Sequence, residues 1–255
     1  MQLFRTVIAR GVLGAQAALC AAVGFADIES ANVVGYYTYD LEAGYNFVTP
    51  VFENVGGGAM SIQDVKVLGS DGWATEAIFG LDADGLLTGE DFTWQCPDAS
   101  GLDYFAWIDA EGAEADYTFA PGAGFYLYAD SDELKLQTCG QVTVGAFTRT
   151  LVAGYNFTGN FSPVDLDLQD LKIEGSDGWA TEAIFGLDAD GLLTGEDFTW
   201  QCPDASGLDH FAWINADGEE ATGVTVKAGQ ALYLYADSDD LVLKLPAVLQ
   251  APAAK

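Results

Sequence analysis

The hydrophobic positions along this chain recur in short alternating runs rather than with the 3.6-residue period of a helix. The segment "GFYLYA" (residues 124–129) alternates, and "NVVGYYTYDL" (32–41) and "VTVGAFTRTL" (142–151) are apolar-rich runs of strand length. Such runs are typical of β-strands with one buried face. The chain holds 30 glycines and several "SDG" and "DADG" segments, which favour tight turns. We therefore predict an all-β fold with little helix.

The chain contains an internal repeat. The 35 residues from Gly69 to Asp103 return letter for letter from Gly175 to Asp209, and the flanking segments repeat with drift. Within each block, "TEAIFGL" and "DFTWQ" flank "DADG" as the two strands of a hairpin. A repeat of about 110 residues is large enough for one β domain with its own core. We predict two tandem homologous domains, sandwich-like or barrel-like, at 27–140 (copy one) and 141–246 (copy two), followed by a tail at 247–255.

The first residues have the pattern of a secretory signal peptide. Arg5 and Arg10 precede an uncharged apolar run from Gly11 to Val23, and Gly24-Phe25-Ala26 places small residues before Asp27. The apolar run is shorter than the roughly 20 residues that span a bilayer. We therefore expect a signal peptide at 1–26 and a secreted protein, either extracellular or on the cell surface.

The chain is strongly acidic. It carries 39 acidic and nine basic residues, with a net charge of −30 at pH 7, and the basic residues are scattered. Such a surface repels nucleic acid and anionic membranes, so neither is an expected partner. It also attracts cations, either as a diffuse atmosphere or at specific calcium sites.

Two segments of each copy resemble a module of bacterial secreted and surface proteins. "AGYNFVTP" from Ala43 is followed by "APGAGFYLYADSDELKLQTCGQV" from Ala120, and the segment "ESANVVGYYT" is similar to the mature start of such proteins. Copy two departs from the pattern at Gly229-Gln230-Ala231, where the second glycine and the aromatic residue are replaced. The resemblance implies an all-β surface module and no particular activity.

An acidic turn, "LDADGLLTGED", occurs in both copies and is a candidate calcium site. Calcium takes six to eight oxygen ligands, and carboxylates close together in a loop supply them. The spacing differs from that of an EF-hand, because glycine comes fourth and glutamate ninth. The alternative is an ordinary turn capped by aspartate side chains. The candidate ligands are Asp82, Asp84, Glu90 and Asp91 in copy one, and Asp188, Asp190, Glu196 and Asp197 in copy two.

Tryptophan is the second candidate for binding chemistry. Planar aromatic side chains at the surface hold sugar rings, whereas a small β domain also needs large side chains in its core. Both interpretations apply to the six tryptophans, which are Trp73, Trp94 and Trp107 in copy one and Trp179, Trp200 and Trp213 in copy two.

Catalysis has little support in the sequence. The one histidine, His210, corresponds to Tyr104 in copy one, so no histidine-based catalytic set occurs twice. Neither G-x-S-x-G nor H-E-x-x-H is present. Acidic residues are so frequent that paired carboxylates give no usable signal. We expect a protein that is not an enzyme, with no catalytic residues.

Three cysteines follow the predicted signal peptide: Cys96, Cys139 and Cys202. A Cys96–Cys139 disulfide would close a loop of about 43 residues and stabilise the fold by roughly 4 kcal/mol in the chain-entropy model. It would leave Cys202 for a bond to another chain. The competing Cys139–Cys202 pair would join the two copies.

The two copies end differently. Copy one runs directly into the opening strand of copy two, whereas copy two ends in a Pro/Ala-rich tail. The opening strand of copy one, Val33–Tyr39, or the tail from Leu245 onward, is therefore expected to pack on an adjacent subunit in a head-to-tail polymer. The alternative is that this strand pairs within its own domain and the tail caps an edge. The candidate assembly residues are Val33, Val34, Tyr36, Tyr37 and Tyr39.

Together these observations predict a secreted or cell-surface structural protein. It would be the subunit of an extracellular filament, sheath or surface layer, with itself as partner. The alternative is a calcium-dependent carbohydrate-binding or adhesion module, with a cell-surface glycan as partner.

Overall fold

The computed structural model describes residues 34–81, 87–187 and 193–248, most of which lie in antiparallel strands joined by short turns. The all-β prediction is confirmed. Helix in this part of the chain consists of two four-residue α-helices, α1 (Pro97–Ser100) and α2 (Pro203–Ser206), and two 3₁₀ turns, Ile62–Asp64 and Leu168–Asp170.

The strands follow the same order in both copies. Those of copy one are β1 (Val34–Asp40), β2 (Gly44–Val48), β3 (Met60–Ser61), β4 (Val65–Leu68), β5 (Trp73–Leu81), β6 (Leu87–Gln95), β7 (Ala106–Asp109), β8 (Thr118–Phe119), β9 (Phe125–Ala129) and β10 (Lys135–Gln141). Those of copy two are β11 (Phe147–Thr150), β12 (Gly154–Gly159), β13 (Leu166–Asp167), β14 (Lys172–Glu174), β15 (Trp179–Leu187), β16 (Leu193–Gln201), β17 (Ala212–Asn215), β18 (Thr225–Val226), β19 (Ala231–Ala236) and β20 (Val242–Leu245).

Each copy forms three antiparallel sheets. In copy one the orders are β1-β10-β4, β2-β9-β5-β6-β7 and β3-β8. In copy two every strand number rises by ten and the orders are otherwise the same. The predicted hairpin is β5–β6, with its counterpart β15–β16.

Each copy encloses its own apolar core, as the alternation of the strands requires. In β10 the exposed Lys135 is followed by the buried Leu136, and the side chains continue to alternate along the strand. Trp107 and Leu127 lie at the centre of the copy-one core, and Trp213 and Leu234 are their counterparts in copy two.

A third cluster, made of aromatic side chains, joins the two copies. The Phe157 ring of copy two lies 5.6 Å from the Phe47 ring and 4.6 Å from the Tyr126 ring of copy one, between ring centroids. Tyr233 completes the buried part of this cluster. Tyr126 and Tyr233 thus bury their rings between the copies, while the neighbouring Leu127 and Leu234 face the separate cores.

The contact between the copies is made by equivalent positions. Val48 forms an isolated bridge with Gln230, and Ala123 forms one with Thr158. The strand registers make Val48 equivalent to Thr158, and Ala123 equivalent to Gln230. Since each copy contributes the same two positions, the copies are related by an approximate two-fold axis, as in an isologous dimer. The two copies belong to one compact unit, so their division into domains at 27–140 and 141–246 stays a prediction.

The opening strand pairs within its own copy. All seven residues of β1 are in register with β10, from Val34 opposite Gln141 to Asp40 opposite Lys135. Tyr37 and Tyr39 pack against the copy-one core, whereas Val34 and Tyr36 are exposed. Of the candidate assembly residues that the structure describes, these last two present exposed side chains.

The remaining assembly candidates have different positions. Leu245 is buried and pairs with Phe147, so the start of the predicted tail belongs to the copy-two core. Val33 and residues 249–255 lie outside the described residues, as does the predicted signal peptide at 1–26.

Candidate binding groove

A groove of about 790 Å³ opens on copy one beside the end of β6. Its floor is aromatic, since Trp94 of β6 and Phe105, which precedes β7, both line it. The charged side chains of Lys66 and Asp103 also line it. The remaining lining residues are Gln63, Val67, Leu68, Gly69, Ser70, Pro97 and Tyr104.

The floor is built on a buried tryptophan. Trp94 is 3% exposed, and its ring is stacked with that of Phe105 at a centroid distance of 6.0 Å. Phe105 is 45% exposed, so the stack presents an aromatic surface to solvent. The Nε1–H group of Trp94 is buried without a hydrogen-bond partner, and so is that of Trp200 in copy two. By contrast, Nε1 of Trp107 donates to the carbonyl of Val65 at 2.7 Å.

The position of Phe105 depends on a glycine. Gly72 has φ +74°, and a Cβ atom placed on it would lie 2.7 Å from the Phe105 ring and 2.5 Å from the backbone nitrogen of Cys96. Only glycine fits a left-handed conformation this close to the backbone. The "SDG" turn is thereby tied both to α1, which Cys96 precedes, and to the groove.

A buried carboxyl group lies next to the groove. Glu76 is 1% exposed and accepts hydrogen bonds from the hydroxyls of Ser70 and Thr75. Burial raises the pKa of Glu76, an effect that those two hydrogen bonds oppose and the nearby Asp130 carboxylate reinforces. Ser70 links this carboxyl to the groove, because Ser70 itself lines the groove.

The backbone beside this carboxyl is strained. Ala74 has φ +60°, a left-handed conformation that costs a residue with a Cβ atom about 1–2 kcal/mol. It lies within a break in the β5–β6 register, between Trp73 and Ala77. Copy two repeats the feature at Ala180, with φ +61°. The described part of the identical block thus folds in the same way twice.

One lining position of the groove differs between the copies. Tyr104 donates a hydrogen bond from its hydroxyl to Glu114 at 2.7 Å, which raises the pKa of Tyr104. In copy two, His210 replaces Tyr104, and its ring nitrogens lie 2.8 Å from Asp209 and 3.3 Å from Glu220. These two contacts, that with Asp209 first, raise the pKa of His210.

The predicted tryptophans divide into two groups. Trp94, Trp107, Trp200 and Trp213 are at most 3% exposed, so these four side chains lie in the cores. Trp73 and Trp179 are 59% and 57% exposed. The exposed ring of the groove floor is instead Phe105, which was not among the residues predicted from the sequence. Alternation in "YFAW" would place Phe105 on the same face as the buried Trp107, so the sequence pattern gave no signal for the exposure of Phe105.

Most of the candidate calcium ligands fall outside the described residues. This is true of Asp82, Asp84, Asp188 and Asp190, and of the side chains of Glu90 and Glu196. Asp91 is exposed. Asp197 is also exposed and lines a second cavity, of about 280 Å³, where Phe47 of copy one meets copy two. Among the described residues, no cluster of three metal-ligating side chains occurs.

The predicted Cys96–Cys139 disulfide is absent, since all three described cysteines are free thiols. Cys96 is buried at the start of α1, beside the five-stranded sheet, whereas Cys139 is exposed on β10 of the three-stranded sheet. Cys202 is buried in the same setting as Cys96. The burial of Cys202 favours neither a disulfide with Cys139 nor a disulfide with another chain.

No protein-family model, curated protein or solved structure matches this chain. In the part of the chain that the structure describes, none of the helices is long and apolar enough to cross a membrane.

Proposed function

We propose that the protein is a secreted or cell-surface carbohydrate-binding protein without catalytic activity. In this proposal the two copies are tandem homologous β domains, sandwich-like or barrel-like, and the aromatic groove is the binding site. The observation that carries the proposal is the stack of Phe105 on Trp94, which presents an aromatic surface beside Lys66 and Asp103.

The chemistry of the groove favours a sugar over other ligands. A pyranose ring has apolar C–H faces that pack on aromatic rings and hydroxyls that both donate and accept hydrogen bonds. The groove offers an aromatic floor, an ammonium donor on Lys66 and a carboxylate acceptor on Asp103. The net charge of −30 disfavours polyanionic ligands.

The test is binding of residues 27–255 to an array of neutral and acidic oligosaccharides. We expect Phe105→Ala to weaken binding to the copy-one groove at least tenfold, since it removes the exposed ring of the floor. Tyr36→Ala is the matched control, because Tyr36 is 75% exposed and does not line the groove. An equal loss of sugar binding in the two variants would contradict the proposal. So would binding of an aromatic peptide by a protein that binds none of the sugars.

A second candidate function is head-to-tail assembly into a filament, sheath or surface layer. It is favoured by β1, which is an edge strand of its sheet and exposes Val34 and Tyr36. Exposed edges are templates for pairing with another chain, and lysines on an edge prevent this. We expect Val34→Lys combined with Tyr36→Lys to abolish polymers seen by negative-stain microscopy without unfolding the protein. A wild-type chain that sediments as a monomer at high concentration with calcium present would rule out assembly.

A further inference from the structure

The aromatic floor of copy two has a cation over it. Nζ of Lys172 lies 5.5 Å from the centroid of the Trp200 ring, within the range of a cation–π interaction. Trp200 is the counterpart of Trp94 and is stacked in the same way, at 6.0 Å, with Phe211. In copy one the equivalent lysine, Lys66, lines the open groove.

Strand pairing explains the position of Lys172. It stands directly opposite Lys244 in the β14–β20 pair, and like charges in that arrangement repel. The nearby carboxylate of Glu174 is already engaged, since Nζ of Lys244 lies 2.7 Å from it. None of the described carboxylates forms an ion pair with Lys172. The ring face of Trp200 is the remaining favourable place for its ammonium group.

Copy one lacks these charges. Lys66 stands opposite the neutral Gln137, and Leu68 occupies the position of Glu174. The different placement of the two lysines therefore comes from two positions outside the identical block, and not from the aromatic floor itself.

We propose that Lys172 is a specificity-determining residue that covers the copy-two counterpart of this groove, so that the chain presents one open glycan site, on copy one, and one self-covered site. The proposal rests on the proposed carbohydrate-binding function. A sugar entering the copy-two groove has to displace the ammonium group from Trp200. From the usual strength of a cation–π contact, this displacement should make the affinity of copy two for a sugar roughly 2- to 30-fold weaker than that of copy one.

The position of the Lys172 ammonium group over the Trp200 ring is tested first, without a ligand. Reductive methylation with ¹³C-formaldehyde places methyl groups on each lysine, and Lys172→Gln and Lys66→Gln identify their two signals. We expect an upfield ring-current shift for the Lys172 methyls and none for those of Lys66. Coincident shifts for the two lysines would overturn the proposal. Lys244→Gln provides a second variant, because it frees Glu174 to pair with Lys172 and should remove the shift.

Affinity is tested next by calorimetry, with chitohexaose and cellohexaose as probes. In a Phe105→Ala background, where only copy two binds, we expect Lys172→Gln to tighten binding 2- to 30-fold. In a Phe211→Ala background, Lys66→Gln should give no gain. Binding at copy one without a gain from Lys172→Gln overturns this inference alone. Failure of both grooves to bind either oligosaccharide counts against the proposed function, and the methyl signals then decide whether Lys172 covers Trp200.

Discussion

Gly72 lies so close to the ring of Phe105 that no side chain would fit between them. This contact couples the stability of the "SDG" turn to the shape of the groove, because the ring that the turn supports is also the exposed part of the floor.

Gly72→Ala should therefore destabilise the protein and impair the groove together. The left-handed backbone costs alanine about 1–2 kcal/mol, and the clash with Phe105 and Cys96 adds about 1–3 kcal/mol. Gly101→Ala is the matched control, since Gly101 has φ +77° but no neighbouring atom within 4 Å of the place that a Cβ atom would take. Urea unfolding should show the larger loss for Gly72→Ala. Equal losses would mean that the close contact with Phe105 has no energetic consequence.

The two buried tryptophans of each core should respond differently to replacement by phenylalanine. Trp107→Phe removes the Nε1–H···O bond to Val65, whereas Trp94→Phe removes a group that has no partner. We expect Trp107→Phe to cost about 1–3 kcal/mol more in the free energy of unfolding, because it leaves a buried carbonyl unsatisfied. Since both changes remove a similar volume, equal costs would refute the assignment of these hydrogen bonds.

Glu76 should make stability depend on pH in a defined direction. Burial raises its pKa above the value in the unfolded chain. The neutral carboxyl therefore stabilises the fold at pH values below the unfolded pKa, and this contribution is lost as the pH rises through the raised pKa. Glu76→Gln carries a neutral group at every pH. Its melting temperature relative to wild type should rise between pH 4 and pH 7.

The control for this experiment is Glu133→Gln, which removes one charge from an exposed position. A general relief of the negative surface would raise both melting curves equally. Only a larger rise for Glu76→Gln supports the buried carboxyl as the cause.

The thiols should differ in reactivity under native conditions. Cys139 is exposed, whereas Cys96 and Cys202 are buried. In residues 27–255 we expect iodoacetamide to label Cys139 alone, and the other two only after unfolding. Mass spectrometry of wild type and Cys139→Ala identifies the site. If Cys139 is protected from iodoacetamide and a reductant reverses this protection, the predicted disulfide is present in the protein.

Calcium binding stays a prediction and has a simple measurement. Ligands that bind the folded state raise the melting temperature, so a chelator at constant ionic strength should lower it if the acidic turns hold calcium. Asp84→Asn combined with Asp190→Asn should remove that difference. An unchanged melting temperature in chelator would leave only diffuse screening of the surface charge.

The sequence predicted the fold better than the site. Alternation and turn residues were sufficient for the strands β1 and β9 and for the β5–β6 hairpin, because each of these follows a local pattern. Exposure of individual aromatic residues was not predictable in the same way. Trp73 lies beside a break in the β5–β6 register, where simple alternation fails. The covering of Trp200 depends on Lys244, 72 residues from Lys172, and no local pattern contains that relation.

The approximate two-fold relation between the copies has a consequence for the whole polypeptide. In a homodimer, every substitution appears in both partners. Here one chain supplies both halves, so a substitution changes one half and leaves the other intact. Leu68 and Glu174, and likewise Tyr104 and His210, occupy equivalent places with different chemistry. Because the two copies are covalently linked, they can differ in sequence as the two subunits of a heterodimer do. One copy can therefore retain a property while the other changes it.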